Sequence, residues 1–269
     1  MSAKSYEARE GYTQIIGPGE LRFIEFGMLR LSQGARFAQA PAPKERALIL
    51  LSGKCALRCP EHAWRGVGER TSVFGGRACA LYLPPNMACE IEAEETVEIA
   101  VASTPADISA EPVLVTPSEV TVSSRGTSLW RREIHDIITP RIKAQRLVVG
   151  ETFNPPGKWS SYPPHKHVED LWPVETVQEE LYFFRLQPEG GFGLQRLYTA
   201  DGSQDEALVI RDNTIVTIPR GYHPVVVAPG YKLYYLWILA GERRELRPHD
   251  DPAHAWVHSA AAMLDEEKR

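Results

Sequence analysis

Helical periodicity is nearly absent from this chain. Its dominant pattern is short runs of Val, Ile, Leu, Tyr and Phe cut by Gly, Pro, Asn and Asp. β-Branched and aromatic side chains suit a pleated, half-buried surface, and the punctuating residues supply turns. The pattern therefore predicts an all-β chain of sandwiches or barrels. In the first half, strands are expected near Leu21–Leu31, Ala47–Leu51, Lys54–Cys59, Ala78–Leu83, Cys89–Ala93 and Val97–Ser103. Pro105, Pro112 and Pro117 then interrupt the run and mark a connection. The segment Trp130–Ile138 (WRREIHDII) reads as a strand or a crossing segment. The second half resumes with Arg146–Phe153, Leu181–Leu186, Phe192–Tyr198, Ala207–Ile210, Thr214–Ile218, Pro224–Val227 and Lys232–Ala240. The Ala-rich stretch Ala260–Lys268 predicts a short, loosely packed helix.

The 269 residues suit two domains, divided here as 1–115 and 116–269. The order of features repeats across that division. Gly34, Ala40, Ala42, Glu45 and Gly53 in the first half run parallel to Gly157, His165, His167, Glu180 and the glycines Gly190, Gly191 and Gly193 in the second. LPPN (Leu83–Asn86) corresponds to IPRG (Ile218–Gly221), each opening a turn after an apolar run. The halves read as two copies of one barrel, with metal-type residues in the second alone. In the first, Ala40 and Ala42 stand for the imidazoles and Met87–Cys89 for the later histidine, so that half reads as a structural partner. It is expected to cover an apolar sheet face against the second barrel or, in a homo-oligomer, against a neighbouring subunit.

The net charge of −5, with no block of like charge, argues against a nucleic-acid-binding basic face. MSAKSYEAREGY has no apolar core long enough for a signal peptide, and no run of about 18 apolar residues spans a membrane. A soluble, cytoplasmic protein is the expectation. Cys55, Cys59, Cys79 and Cys89 are then expected as reduced, partly buried thiols, since Cys55 and Cys59 are too far apart for a CxxC knuckle.

The chemistry concentrates in PPHKH (Pro163–His167), EELYFF (Glu179–Phe184) and PRGYHP (Pro219–Pro224). Side chains two apart on a strand share a face, so His165 and His167 project together while Lys166 points away. Glu180 opens the next apolar strand, with Tyr182 on its face, and His223 follows a Pro-Arg-Gly turn. Three neutral imidazoles and a carboxylate suit one first-row divalent ion, with Zn, Mn, Fe, Ni and Co all compatible. His62, His249, His254 and His258 read as solvated, and His135 as packing across the inter-domain region.

This arrangement resembles the cupin superfamily, whose barrels carry a glycine, an HxH pair, a glutamate and then a histidine after a PxG turn. Here the spacing is stretched, with twelve residues between His167 and Glu180. WSSYPPHKH (Trp159–His167), EELYFFRLQPEGGFGLQRLYT (Glu179–Thr199), IPRGYHPV (Ile218–Val225), GYKLYYLWILAG (Gly230–Gly241) and DPAHAW (Asp251–Trp256) resemble the 5-deoxy-glucuronate isomerases of myo-inositol catabolism. These are bicupins, built of two tandem double-stranded β-helix (jelly-roll) barrels and related to the 4-deoxy-5-ketouronate isomerases. The resemblance implies a fold of two such barrels and a small sugar-acid substrate. It implies Glu180, rather than the adjacent Glu179, as the ligand, which leaves Glu179 facing outward.

The implied reaction is an aldose–ketose isomerisation of 5-deoxy-glucuronate to 5-dehydro-2-deoxy-gluconate. A divalent ion would polarise the carbonyl, and a general base would move the proton unless a hydride shifts directly. Tyr182 is the candidate for proton relay. Arg185, Arg196 and Arg220 are the candidate cations for the substrate carboxylate, and Tyr222 borders the mouth. The same ligands also suit an iron-dependent dioxygenase, and the related ketouronate is the alternative isomerase substrate.

Overall fold

The computed structural model describes residues 2–266, and its architecture follows from how its strands are buried. The strands of the two large sheets are covered on both faces, so they lack the alternation of polar and apolar residues seen where one face meets water. In Lys44–Ser52, Ala47, Ile49 and Leu51 join one apolar cluster, and Leu48 and Leu50 join another. In Glu179–Gln187, Leu181 and Phe183 face the first of these clusters, while Tyr182, Phe184 and Leu186 face a third.

The result is four stacked layers. A six-stranded sheet is ordered Val113–Val115, Cys79–Leu83, Lys44–Ser52, Val97–Pro105, Glu25–Leu31, Gly11–Ile16. A seven-stranded sheet is ordered Ser2–Ser5, Thr214–Ile218, Glu179–Gln187, Lys232–Ala240, Val148–Asn154, Arg132–Ile138, Thr121–Arg125. These two pack face to face through Phe26, Met28, Ile49, Phe183, Leu236 and Ile238. A four-stranded sheet covers the outer face of each. One is Arg36–Gln39, Cys89–Ala93, Cys55–Cys59, His62–Val67, and the other Trp159–Ser160, Val225–Val227, Gly193–Tyr198, Asp205–Ile210. None of these sheets closes on itself.

The two halves repeat strand for strand. Lys44–Ser52 lies between Cys79–Leu83 and Val97–Pro105, as Glu179–Gln187 lies between Thr214–Ile218 and Lys232–Ala240. Register corrects the residue alignment expected above. Arg46 pairs with Leu83 and Glu180 with Ile218, and each of those partners precedes the Pro of its turn. Arg46 is therefore the counterpart of Glu180, and Glu45 the counterpart of Glu179. The first strand, Ser2–Ser5, pairs with Thr214–Ile218 and so belongs to the sheet of the second half.

Buried polar groups bind the halves together. Arg70 meets Glu151 at 2.6 Å, and Tyr234 Oη donates to the same carboxylate at 2.8 Å. Arg185 meets Glu98 at 2.5 Å. The first half thus covers its sheet against the second half, one of the two expected partners.

Several strands escaped the sequence reading. Gly11–Ile16, Arg36–Gln39 and His62–Val67 carry exposed polar or charged residues and lie at sheet edges. Within the proline-marked connection, Val113–Val115 forms an edge strand. The helix spans Val257–Glu266; Lys268, in the expected span, lies outside the described residues. Among the described residues, no helix is long and apolar enough to cross a membrane. All four cysteines are free and buried.

Candidate metal centre

Two strands and two loops deliver the cluster. Glu180 sits opposite Ile218 in the antiparallel pair. The turn that follows Ile218 therefore emerges beside Glu180. Gly221, at φ 88°, adopts the left-handed backbone that L side chains disfavour and swings His223 back over the sheet. His165 and His167 come from the loop after Trp159–Ser160. That loop is pinned where His165–Lys166 pairs with His249–Asp250. Strand alternation sends Lys166 away from the histidines, as expected, but into a buried site rather than solvent. It bonds Glu169 and Glu175, each at 2.7 Å.

His167, Glu180 and His223 offer one ligand atom each, all within 4.8 Å of one another. His167 Nε2 and His223 Nε2 lie 3.1 Å and 3.2 Å from Glu180 Oε2. His165 stands beside this trio rather than within it, its ring centroid 4.9 Å from that of His223 and 6.5 Å from that of His167.

The outer ring nitrogens fix the tautomers. His165 Nδ1 meets Pro163 O at 3.3 Å, His167 Nδ1 meets Gln178 O at 2.6 Å and His223 Nδ1 meets Gly221 O at 3.1 Å. A carbonyl oxygen can only accept, so each Nδ1 carries a proton, and in the neutral ring Nε2 keeps the lone pair that a metal ion would take. His223 Nε2 is buried and makes no hydrogen bond. An unsatisfied buried lone pair beside a buried carboxylate is costly unless a cation completes the site. The donor set fits one divalent ion.

Electrostatics couples the same groups: burial lowers the proton affinity of His167, and the Glu180 carboxylate raises it above the ordinary value. Burial, together with His223 and His167, pushes His165 down to about 3, so its ring stays neutral. Burial opposes ionisation of Glu180, yet the His167 and His223 rings hold it down at about 2.

Above the cluster, Tyr182 stacks edge-on to His223 with centroids 5.8 Å apart, and its Oη lies 3.0 Å from Ser161 Oγ. Tyr235 packs against Tyr182 at 4.5 Å. Gln195 is buried on the same side, its Nε2 3.4 Å from His223 O and its Oε1 without a partner.

The three arginines expected to receive the carboxylate are elsewhere. Arg185 lies on the opposite face of its strand from Tyr182 and is taken up by Glu98 and Asp212. Arg196 points outward to Asp205 at 2.8 Å, and Arg220 is exposed. Strand alternation explains the first two, since Gln195 and Tyr182 occupy the inward positions. Tyr222 is buried against Tyr198 at 4.9 Å and so packs outside the cluster.

A guanidinium that the sequence reading missed comes closer. Arg132 donates to Tyr162 O at 3.3 Å, one residue from the Ser161 that holds Tyr182. It has no carboxylate partner among the described residues. Its charge reaches the Tyr235 and Tyr182 hydroxyls, and burial lowers its proton affinity. Its sequence signal was a charged residue at the head of an otherwise strand-like run, WRREIHDII.

Comparison with known proteins places this geometry in context. The model of the KduI/IolB family matches residues 2–257. The 5-deoxy-glucuronate isomerase of Geobacillus kaustophilus (strain HTA426) is 39% identical over 248 residues, covering 91% of this chain and 90% of that protein. A crystal structure of an IolB-like protein from Salmonella typhimurium LT2 superposes with a TM-score of 0.92 at 32% identity, covering 95% of this chain and 98% of that one. A mutant of Bacillus subtilis oxalate decarboxylase shares the fold at a TM-score of 0.64 and 11% identity, covering 98% of this chain and 85% of that one.

Proposed function

This chain belongs to the KduI/IolB family, and from that premise we propose that it is a metal-dependent aldose–ketose isomerase of inositol catabolism, converting 5-deoxy-glucuronate into 5-dehydro-2-deoxy-gluconate. One observation carries the reading. Two imidazoles, His167 and His223, with their Nδ1 atoms tied to carbonyls, set Nε2 3.1 Å and 3.2 Å from one buried carboxylate, with His165 beside them, in a chain 39% identical to a protein of that name.

His165, His167, Glu180 and His223 would hold the ion. When bound, a divalent cation (Zn, Mn, Fe, Ni or Co) supplies Lewis-acid polarisation of a carbonyl and its neighbouring hydroxyl. The isomerisation removes a proton from C2 and returns one to C1, leaving the formula unchanged. Burial and the Glu180 charge keep Tyr182 protonated far above neutral pH, so its hydroxyl acts as a donor and relay through Ser161 Oγ rather than as a free phenolate. Arg132 is the cation assigned to the substrate carboxylate, because it faces the same aromatic wall and no acidic group neutralises it. The apolar side chains beneath, Phe184, Val216 and Ile218, exclude bulk water from that end of the site.

Each large sheet with its outer four-stranded sheet constitutes one double-stranded β-helix barrel, with the division near residue 115. Four free thiols support a reducing, cytoplasmic setting.

The test is a side-by-side assay of purified protein on 5-deoxy-glucuronate and 4-deoxy-5-ketouronate, before and after chelation. Preferred turnover of the first, lost on chelation and restored by one divalent metal, is expected. Preferred turnover of the ketouronate, or full activity in metal-stripped protein, would overturn the reading. Running the reaction in deuterium oxide separates a proton relay, which places solvent deuterium at C1, from a hydride shift, which does not.

A further inference from the structure

A cavity of about 620 Å³ opens between the 73–77 segment of the first half and strands Arg132–Ile138 and Val148–Asn154 of the second. We propose that this cavity is a second ligand site, distinct from the metal centre, that takes a phosphorylated, ring-bearing small metabolite such as a sugar phosphate or a mononucleotide. Its lining combines unpaired cations, an apolar wall and a buried histidine with a vacant hydrogen-bonding position.

Arg77, Arg131 and Lys232 line the cavity, and none has an ion-pair partner among the described residues; Arg132, also in the lining, is the cation assigned above to the substrate of the metal centre. Elsewhere on this acidic chain arginines commonly find a carboxylate, as Arg36, Arg185 and Arg196 do. The one acidic side chain in the lining, Glu133, is committed to His135 Nε2 at 2.7 Å. Cations that share one lining without counter-charge repel one another, and an anion of two or more charges relieves that repulsion. Guanidinium forks match phosphate oxygens bidentately, which favours phosphate over a lone carboxylate.

The remaining wall describes the body of the ligand. Phe74, Phe153 and Leu233 supply an apolar face, and both aromatic rings are already set against Tyr234, at 6.3 Å and 5.3 Å. Inorganic phosphate alone would leave most of this volume unfilled, whereas sites for small organic ligands span roughly 300–1,000 Å³.

His135 adds a directional group. The residue is 6% exposed, and its Nδ1 makes no hydrogen bond, with Glu151 Oε2 standing off at 3.9 Å. Glu133 can only accept, so in the neutral ring Nε2 carries the proton and Nδ1 is an acceptor. A ligand hydroxyl satisfies it. Glu151 itself is neutralised by Arg70 beneath the cavity floor and places no free charge there.

The test uses calorimetric titration of the full-length protein with glucose 6-phosphate, AMP and inorganic pyrophosphate. The proteins are wild type, an Arg77→Ala/Arg131→Ala double variant, Lys232→Ala and His223→Ala. The altered cations are exposed, and circular dichroism checks that each variant folds. A ring-bearing phosphate is expected to saturate one site with Kd at or below about 1 mM in 50 mM salt. The double variant should weaken it at least about tenfold and His223→Ala should leave it unchanged. Absence of saturable binding by any probe overturns the site, as does binding undiminished in the double variant. Binding lost in His223→Ala but kept in the double variant assigns the anion to the metal centre instead. Pyrophosphate binding as tightly as either ring-bearing probe refutes the ligand class.

Discussion

Glu45 and Glu179 do the same work on opposite sides of the central seam. Glu45, in the first half, accepts backbone N–H groups from Gln145, Arg146 and Leu147 of the second at 2.7, 2.7 and 2.9 Å. Glu179, in the second, accepts those of Arg22, Phe23 and Ile24 of the first at 2.8, 2.6 and 2.5 Å. Each carboxylate satisfies three consecutive donors where the other half's chain enters its sheet. The adjacent positions then diverge, into Arg46 in one half and the proposed ligand Glu180 in the other.

Removing either clamp leaves three N–H groups without their acceptor, one of them fully buried, and a buried one costs about 1–3 kcal/mol. Glu179→Ala and Glu45→Ala are therefore each expected to lower unfolding free energy by at least about 2 kcal/mol, measured by urea denaturation. A loss under about 0.5 kcal/mol would mean that water replaces the carboxylate at no cost.

His223→Ala deletes a proposed ligand whose ring is buried and whose Nε2 is unsatisfied. It should abolish stoichiometric metal, measured by elemental analysis, while circular dichroism stays at wild type. Activity should fall at least about a hundredfold, since loss of supporting groups around a metal ligand alone costs 10–100-fold. Retention of one metal per chain would remove His223 from the ligand set.

Tyr182→Phe keeps the ring against His223 and Tyr235 and removes only the hydroxyl that meets Ser161. Metal content should not change. If the hydroxyl relays a proton, kcat should drop by about 10²–10⁴. Unchanged kcat would make Tyr182 a packing residue.

Arg132→Gln removes the guanidinium assigned to the substrate carboxylate. A hydrogen bond to a charged group is worth about 1.5–3 kcal/mol, so KM should rise about 10–150-fold with a smaller change in kcat. A KM within twofold of wild type would exclude that role.

Glu175 carries a pH dependence. Burial opposes its ionisation, but Lys166 Nζ and the Val168 and Glu169 N–H groups hold its proton affinity below the ordinary 4.5. A carboxylate with a depressed folded value contributes stability that is complete above 4.5 and is lost as pH falls through the folded value. Protease sensitivity of the 168–175 loop should therefore rise only below pH 4.5. In Glu175→Gln the loop should be sensitive at neutral pH as well. A wild-type loop that opens already at pH 6 would contradict the assignment.

The sequence alone determined the β class, most of the long strands, and the residue types of the candidate metal centre. Those follow from local rules: β-branched runs between turn formers, the two-residue repeat that separates His165 and His167 from Lys166, and the Pro-Arg-Gly turn that aims His223. Tertiary structure decided everything set by partners far along the chain. Glu179 reads as a surface acid beside a ligand, yet it is buried because three N–H groups some 155 residues away require an acceptor. Arg185 and Arg196 read as near the site by sequence distance, but the strand pleat turns both away, to Glu98, Asp212 and Asp205. Arg132 reads as part of a connecting segment and reaches the aromatic wall only because Arg132–Ile138 joins the same sheet as Glu179–Gln187. Which face of a strand is polar is written locally, but what that face meets depends on long-range register, and single-chain periodicity carries no record of it.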